Sequence, residues 1–261
     1  MTAKIVVRAL TKTYADAGRS THALDGIDLA IDEGEFVCVV GPSGCGKSTL
    51  LRIVAGLETP TSGAVDVRRA ATGERPVNAM VFQEASLFPW LTVADNVAFG
   101  LEMRGMARRA RHDLVAPFLE TVGLTRFREH YPHQLSGGMK QRASLARAFV
   151  TDPEILLMDE PFAALDAQNK ILLQEELLRI WERHRKTVVY VTHAIDEALT
   201  LGDRVVVMTA APGRIKDVVR VEFGRPRDVA EIKAKSEFGE MSLHLWRILE
   251  SEVRGARERG A

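Results

Sequence analysis

The fold of this chain is set by one glycine-rich loop, Gly41-Pro42-Ser43-Gly44-Cys45-Gly46-Lys47-Ser48-Thr49. The loop matches the pattern G-x-x-x-x-G-K-[ST] and follows an apolar run at residues 36–40. Apolar side chains recur at helical spacing over residues 47–57, so a helix is expected to begin at the end of the loop. Glycines let backbone amides approach phosphate oxygens, and the helix adds the positive end of its dipole. The pattern therefore predicts a phosphate-binding site between a buried strand and a helix.

Several residues of the loop have expected roles in binding a nucleotide. Lys47 is expected to reach the β- and γ-phosphates, Ser48 to bind Mg²⁺ through its hydroxyl, and Thr49 to meet the α-phosphate. Cys45 lies near Lys47 and the helix N-terminus, both of which lower the pKa of a thiol. We therefore expect alkylation of Cys45 to block nucleotide binding and ATP to protect this thiol. A hydrolase nucleophile elbow, G-x-S-x-G, is rejected because Cys45 replaces its final glycine.

Strand-like and helix-like segments alternate along the chain, which predicts an α/β fold. Residues 36–40, 155–158 and 188–191 are apolar at consecutive positions, as in strands of a parallel central sheet that is covered on both faces. Residues 5–10 and the alternating residues 27–31 instead suit an antiparallel section near the N-terminus.

The middle of the chain, from about residue 84 to 152, is predicted to be a helical insertion. Its helix-like stretches are residues 93–103 and 112–122. A further amphipathic helix is expected over residues 168–184. After Gly224 charges of both signs are interspersed, which favours an exposed helix with a frayed end.

Composition excludes several classes of protein. The 261 residues suffice for one large or two small domains, and 35 Lys and Arg balance 35 Asp and Glu, so nucleic acid is not the expected partner. Apolar runs are far shorter than the roughly 18 residues that cross a bilayer, and we expect a cytoplasmic protein. Two cysteines fit a reducing compartment. The histidines lack metal-ligand spacing, so no transition-metal site is predicted.

A second motif, Ile155-Leu-Leu-Met-Asp159-Glu160, supplies two carboxylates at the end of an apolar run. A phosphate-binding loop needs such a carboxylate to hold its metal ion. Asp159 is therefore expected to bind Mg²⁺, and Glu160 to orient and deprotonate the attacking water. Two adjacent carboxylates thus divide the roles of metal ligand and base.

A third motif carries a family resemblance. Leu135-Ser136-Gly137-Gly138-Met139-Lys140-Gln141-Arg142 resembles the signature of the nucleotide-binding subunits of ATP-binding cassette (ABC) transporters, with Met139 where the generic form has Gln. A serine and two glycines at the start of a helix also present a hydroxyl and free N–H groups to an anion, although a plain helix N-cap is an alternative.

The resemblance implies an α/β P-loop ABC ATPase fold with a mostly parallel central sheet, an N-terminal antiparallel β section and an inserted helical subdomain. It implies a RecA-like core at about 1–83 and 155–224, a helical subdomain at about 84–154 and a C-terminal helical tail at about 225–261.

The same resemblance assigns further residues and the ligands ATP and Mg²⁺. It implies that Tyr14 stacks on adenine, that Gln83 contacts Mg²⁺ or the lytic water and senses the membrane partner, and that His193 contacts the γ-phosphate. A histidine at a strand end is otherwise more often structural. Leu165-Asp166 match a loop that communicates across a dimer, with Ala163 where Ser is commoner. The expected catalytic residues are Glu160, His193, Gln83 and Lys47; ATP contacts also include Ser136, Gly137, Gly138 and Asp166; Mg²⁺ ligands are Ser48, Gln83 and Asp159.

In the family, the loop with Lys47 and the signature with Ser136 close on one ATP only when two subunits pair head to tail. The resemblance therefore implies a homodimer or heterodimer at the cytoplasmic face of the inner membrane. It also implies permease subunits that contact the chain between Gln83 and Leu91, and a separate solute-binding protein.

Residues 87–97, 161–162 and 208–215 resemble the bacterial nitrate, sulfonate and taurine importers. Trp90 either grips a permease helix or packs inside the helical subdomain. The basic run Arg104, Arg108, Arg109 and Arg111 contacts lipid or a partner, or forms a solvated helix face, which we favour. Two alternative functions are a soluble ABC-type ATPase that acts on a non-transport partner, and a P-loop kinase or GTPase, which would leave the signature unexplained.

Overall fold

The computed structural model describes residues 3–16, 19–70, 75–163 and 165–260. In chain order the elements are β1 (Ala3–Asp16), β2 (Arg19–Asp32), β3 (Phe36–Val40), α1 (Lys47–Val54), β4 (Ser62–Val67), β5 (Asn78–Val81), α2 (Val93–Met103), α3 (Arg108–Thr121), α4 (Gly137–Val150), β6 (Ile155–Asp159), α5 (Ala167–His184), β7 (Thr187–Val191), α6 (Ile195–Leu201), β8 (Arg204–Met208), β9 (Ile215–Arg220), α7 (Val229–Lys233) and α8 (Ser236–Gly260). The chain divides into two compact units, a first unit of residues 1–69 with 184–261 and a second unit of residues 70–183.

The first unit contains an antiparallel sheet and strands of a mostly parallel one. β1 lies between β2 and β4 and pairs with both in antiparallel orientation. β3 pairs in parallel with β7 and β8, and β8 pairs in antiparallel orientation with β9. All residues of β3 and β7 are buried, as their unbroken apolar sequence predicts. The expected antiparallel section and parallel strands are therefore confirmed.

Strand register determines which loops meet in the first unit. Val39 pairs with Val191, so the chain leaves β3 at Gly41 and β7 at Thr192 along the same edge of the sheet. Ligands of α/β sheets bind at the carboxyl ends of the strands. The glycine-rich loop and His193 accordingly follow neighbouring strand ends.

The second unit is mainly helical. Helices α2, α3 and α4 pack around a common core that includes Val97, Leu101, Leu119 and Ala146. α2 begins at the residue predicted, because the Thr92 side chain accepts a hydrogen bond from the backbone N–H of Asp95 and caps the first turn. β5 and β6 pair in parallel and carry the acidic motif.

The structure also contains elements that the sequence patterns did not predict. These are strands β4, β8 and β9 and helix α6. β4 and β9 expose most of their residues, so their periodicity gave little signal, whereas β8 is a buried apolar run like β3. α1 ends at Val54 rather than near Leu57, because Gly56 adopts φ 74° and its N–H bonds the carbonyl of Ile53. Within the described ranges, no helix combines the length and the apolar character needed to cross a membrane.

Candidate nucleotide-binding site

The glycine-rich loop of the first unit has a conformation that requires glycine. Gly44 and Gly46 adopt φ values of 76° and 95°, in the left-handed region. A Cβ at Gly46 would lie 2.7 Å from the carbonyl oxygen of Ala23, closer than real contacts allow. Position 46 therefore requires glycine, both for its backbone conformation and for its close approach to Ala23.

Lys47 is folded onto the same loop. Its Nζ donates hydrogen bonds to the carbonyl oxygens of Gly41 at 2.9 Å and Pro42 at 3.0 Å, and the residue is only 6% exposed. An ammonium group exchanges such neutral carbonyl acceptors readily for phosphate oxygens, because the attraction between opposite charges adds to the hydrogen bond. The position of Lys47 thus suits the expected phosphate contact.

The expectation of a lowered pKa for Cys45 is wrong. Cys45 is fully buried, and this burial raises the pKa of its thiol. The charge of Lys47, with Nζ 3.9 Å from Sγ, offsets only part of that rise. Desolvation thus outweighs the nearby positive charge.

Tyr14, the expected adenine contact, lies beside the loop helix. Its hydroxyl is 3.5 Å from Thr49 Oγ1, and Lys12 Nζ lies 4.7 Å from the centroid of its ring. Lys12 is itself held by Glu58 at 2.5 Å and by the carbonyl of Thr59 at 2.8 Å. Cation–π contact with Lys12 holds the ring in one orientation.

His193 is exposed and follows β7 through a hydrogen-bonded turn. Thr192 Oγ1 donates to Glu197 Oε2 at 2.7 Å and accepts from the backbone N–H of Ala194 at 3.0 Å. The Tyr190 hydroxyl also donates to Glu197, which is 4% exposed. These bonds flank His193 on both sides, and the motif analysis did not reveal Thr192, Tyr190 or Glu197.

The acidic motif occupies the carboxyl end of the β5–β6 pair in the second unit. Val81 pairs with Met158, so Gln83 and the carboxylates of Asp159 and Glu160 follow the same edge. Asp159 is 4% exposed and ends β6. Glu160 adopts φ 44°, a strained conformation for a residue other than glycine, and such strain clusters at functional sites.

The signature helix α4 holds the segment after Gln83. Gln141 Nε2 donates to the carbonyl of Phe82 at 3.4 Å. The guanidinium of Arg147 donates to the carbonyls of Ala85 at 3.3 Å and Ser86 at 2.9 Å, and burial lowers the pKa of Arg147. The segment that surrounds Gln83 is therefore anchored to α4, a connection absent from the sequence motifs.

The signature residues lie at the N-terminus of α4. Ser136 Oγ accepts from the backbone N–H of Met139 at 3.3 Å, so Ser136 caps the helix, and both Ser136 and Gly137 are exposed. A Cβ at Gly138 would lie 3.2 Å from Leu165 Cδ2. Capping uses an acceptor lone pair of the hydroxyl and leaves its proton for an anion.

Asp166 comes directly after Leu165, the residue near Gly138, and caps α5. Its carboxylate accepts from the backbone N–H of Asn169 at 3.0 Å and from Asn169 Nδ2 at 2.6 Å, and these bonds lower its pKa. Asp166 and the signature residue Gly138 thus flank Leu165.

The aromatic loop at residues 88–90 presents a tryptophan to solvent. Trp90 is 70% exposed, so the alternative that it packs inside the helical subdomain is wrong. Phe88 packs inward, with its ring centroid 4.4 Å from that of Phe99. Asn96, fully buried, holds the loop through bonds to the carbonyls of Phe88, Leu91 and Thr92 at 3.0–3.1 Å.

The basic run on the helical unit is partly paired. Arg111 lies 2.9 Å from Glu102, and Arg104 donates to the carbonyl of Thr151 at 3.3 Å. Arg108 and Arg109 are exposed on α3. This arrangement fits the solvated helix face that we favoured.

The expected Mg²⁺ ligands have suitable chemistry. Ser48, Gln83 and Asp159 offer oxygen atoms, which Mg²⁺ prefers, and Asp159 and Gln83 share the edge of the β5–β6 pair. Among the residues that the structure describes, no three His, Cys, Asp or Glu side chains form a metal cluster.

Comparison with known proteins identifies the family. Residues 24–163 match the ABC transporter family model. An uncharacterised ABC transporter ATP-binding protein of Methanocaldococcus jannaschii is 50% identical over 97% of this chain and 94% of its own length. A nitrate import ATP-binding protein of a Synechocystis species is 48% identical over 92% of each chain, and a taurine import ATP-binding protein of Roseobacter denitrificans is 42% identical over 94% of each.

A solved structure agrees with this assignment. The dimeric, post-hydrolysis ATP-binding cassette bound to ADP and Pi shares 34% identity with this chain at a TM-score of 0.76, covering 84% of this chain and all of that one. Fold and site together define an ATP-binding cassette ATPase. The chain belongs to the ABC transporter family, and the expected fold class and ATPase activity are confirmed. A kinase or GTPase is thereby excluded.

Proposed function

We propose that this chain powers an importer for a small anionic or zwitterionic solute of the nitrate, sulfonate and taurine kind. The observation that carries the proposal is the exposed Trp90 in a loop that Asn96 and Arg147 anchor directly after Gln83. Such a surface suits a permease helix, because apolar helices dock into aromatic grooves. Relatives named for import of nitrate, taurine, bicarbonate and aliphatic sulfonates are 42–48% identical.

Hydrolysis follows from the roles of individual residues. Backbone amides of residues 41–49 and Lys47 bind the phosphates of ATP, and Ser136 approaches the γ-phosphate from a second chain. Water attacks the γ-phosphorus, Glu160 takes its proton, the bond to the β-phosphate oxygen breaks, and ADP and phosphate leave. His193 and Gln83 orient the γ-phosphate and the water.

Magnesium is part of the proposal. Ser48, Asp159 and Gln83 would hold Mg²⁺, which supplies charge neutralisation at the phosphate oxygens when bound. The buried position of Asp159 at a strand end supports this role, since a carboxylate there is held in one orientation.

A head-to-tail dimer is the proposed functional unit, either a homodimer or a heterodimer. Support comes from two solved cassettes of 34% identity, both of which are dimeric. ATP closes the dimer, hydrolysis reopens it, and the motion drives permease subunits at the cytoplasmic face of the inner membrane. A separate solute-binding protein and the permease select the individual solute.

Docking of a permease at Trp90 can be tested by measuring how tightly this chain binds importer permeases in detergent or nanodiscs. Trp90→Ala should weaken binding to the matching permease at least tenfold, a typical effect of losing an interface tryptophan. Leu114→Ala, an exposed apolar residue on α3, is the matched control and should bind like the parent. A chain that binds no importer permease but co-purifies with a soluble complex would overturn the proposal.

A further inference from the structure

Helix α8 brings an apolar surface to the edge of the glycine-rich loop. One cavity of about 450 Å³ in the first unit is lined by Pro42, Ser43 and His193 on one side and by Trp246, Leu249 and Val253 of α8 on the other. None of the sequence motifs predicted a contribution from α8. A surface remote in sequence thus borders the site that binds phosphate.

α8 is firmly attached on its inner side. Leu245 is fully buried and Leu249 is 7% exposed, and the helix packs against α6 and β8. Glu252 accepts from the backbone N–H of Ala210 at 3.0 Å and pairs with Lys216 at 2.6 Å. These contacts fix the position of α8 and, with it, the position of the side chains on its outer side.

The outer side of α8 exposes large apolar side chains. Trp246 is 52% exposed, and Leu243, three residues earlier, is 49% exposed. The neighbouring exposed positions carry both signs of charge, with Glu240 and Arg247 on the same helix. Such a mixed surface does not favour anionic lipid, whereas an apolar centre with a charged rim is typical of protein interfaces.

Helix α5 also exposes two apolar residues, close in sequence to the loop that is expected to contact the partner chain. Ile171 and Leu172, in the second turn of α5, are 39% and 63% exposed. Leu172 follows Asp166 by six residues, about 9 Å along a helix. The Leu165-Asp166 loop is the segment that the proposed dimer brings to the partner.

We propose that a second copy of this chain covers the Trp246 surface in the ATP-bound dimer, with the partner's Leu172 in contact with Trp246. The inference rests on the proposed head-to-tail dimer, because that dimer closes over the glycine-rich loop and the Trp246 cavity is continuous with that loop. Leu243 and Trp246 of one chain are buried against Ile171 and Leu172 of the other, and two-fold symmetry repeats the contact.

The first test measures dimer dissociation constants in ATP and Mg²⁺ by analytical ultracentrifugation. Glu160→Gln is the background, because slow hydrolysis keeps the dimer closed. Adding Trp246→Ala or Leu243→Ala should weaken dimerisation at least tenfold, whereas Leu114→Ala, a matched exposed leucine of the second unit, should not. ATP affinity of the monomer should be the same for Leu243→Ala and Leu114→Ala as for the background.

The second test is cross-linking between two different chains. Both native cysteines are buried, so a chain with Trp246→Cys and a chain with Leu172→Cys can be mixed and oxidised. A covalent dimer that forms only in the mixture and only with ATP supports the contact. If Glu160→Gln never dimerises, the proposed function fails; if it dimerises equally well with Trp246→Ala and the mixture gives no covalent dimer, this inference alone is overturned.

Discussion

Thr192 Oγ1 donates a 2.7 Å hydrogen bond to Glu197 Oε2 and accepts a 3.0 Å bond from the N–H of Ala194, on the far side of His193. The hydroxyl therefore ties the end of β7 to helix α6 and shapes the turn that presents the histidine. Because Glu197 is buried, its carboxylate depends on these donors.

Thr192→Val should lower kcat about tenfold with little change in KM for ATP, since a lost buried hydrogen bond costs about 1–2 kcal/mol. Thr192→Ser keeps the hydroxyl and should restore the rate. Steady-state ATPase assays measure both. If Thr192 acts through His193, Thr192→Val should have no further effect in a His193→Ala background; fully additive losses would contradict a positioning role.

Glu160→Gln should bind ATP and hydrolyse it about 10²–10⁴ times more slowly, the usual loss when a general base is removed. The neutral amide keeps the shape of the side chain but does not take a proton from water. Single-turnover hydrolysis and size-exclusion chromatography test the variant, which should accumulate as an ATP-bound dimer. Normal turnover would remove Glu160 from the catalytic role.

Lys47→Ala should lose nucleotide affinity by about 10–100-fold, because charge-assisted hydrogen bonds to phosphate contribute roughly 1.5–3 kcal/mol. Titration with a fluorescent ATP analogue measures the change. Arg52→Ala, which removes an exposed cation from the same helix, is the control and should bind like the parent. Unchanged binding by Lys47→Ala would contradict the assigned phosphate contact.

The Cys45 thiol should react slowly with alkylating reagents. Burial raises its pKa, so at pH 8 a smaller fraction is thiolate than in a free cysteine, and reactivity should increase as the pH rises further. Alkylation of a Cys38→Ser variant, in which Cys45 is the remaining thiol, should be at least about tenfold slower than that of a free thiol. Rapid reaction at pH 7 would show that the charge of Lys47 outweighs burial.

The motifs predicted local features well because their causes are local. The left-handed backbone of Gly44 and Gly46 and the strand that ends at Asp159 depend on neighbouring residues. The antiparallel section, the parallel strands and helix α2 also followed from short-range periodicity.

Features that depend on distant residues were missed. Arg147 holds the carbonyls of Ala85 and Ser86 from more than sixty residues away, and Trp246 reaches the loop at Pro42 from the far end of the chain. The reactivity of Cys45 was misjudged because its pKa depends on how deeply the folded protein buries it. A sequence pattern shows which charged residues lie near a group, but it does not show how strongly the folded protein desolvates that group.

In the proposed dimer, Lys47 and Ser136 act on one ATP from two different chains. Mixing a Lys47→Ala chain with a Ser136→Glu chain and measuring ATPase activity tests this pairing. At an ATP concentration that just saturates the parent, each variant alone should be almost inactive. An equal mixture should regain about a quarter of the parent activity, since half of the dimers are mixed and each of these has one intact site. A mixture no more active than either variant alone, or a Ser136→Glu chain with full activity, would show that Lys47 and Ser136 do not share one ATP.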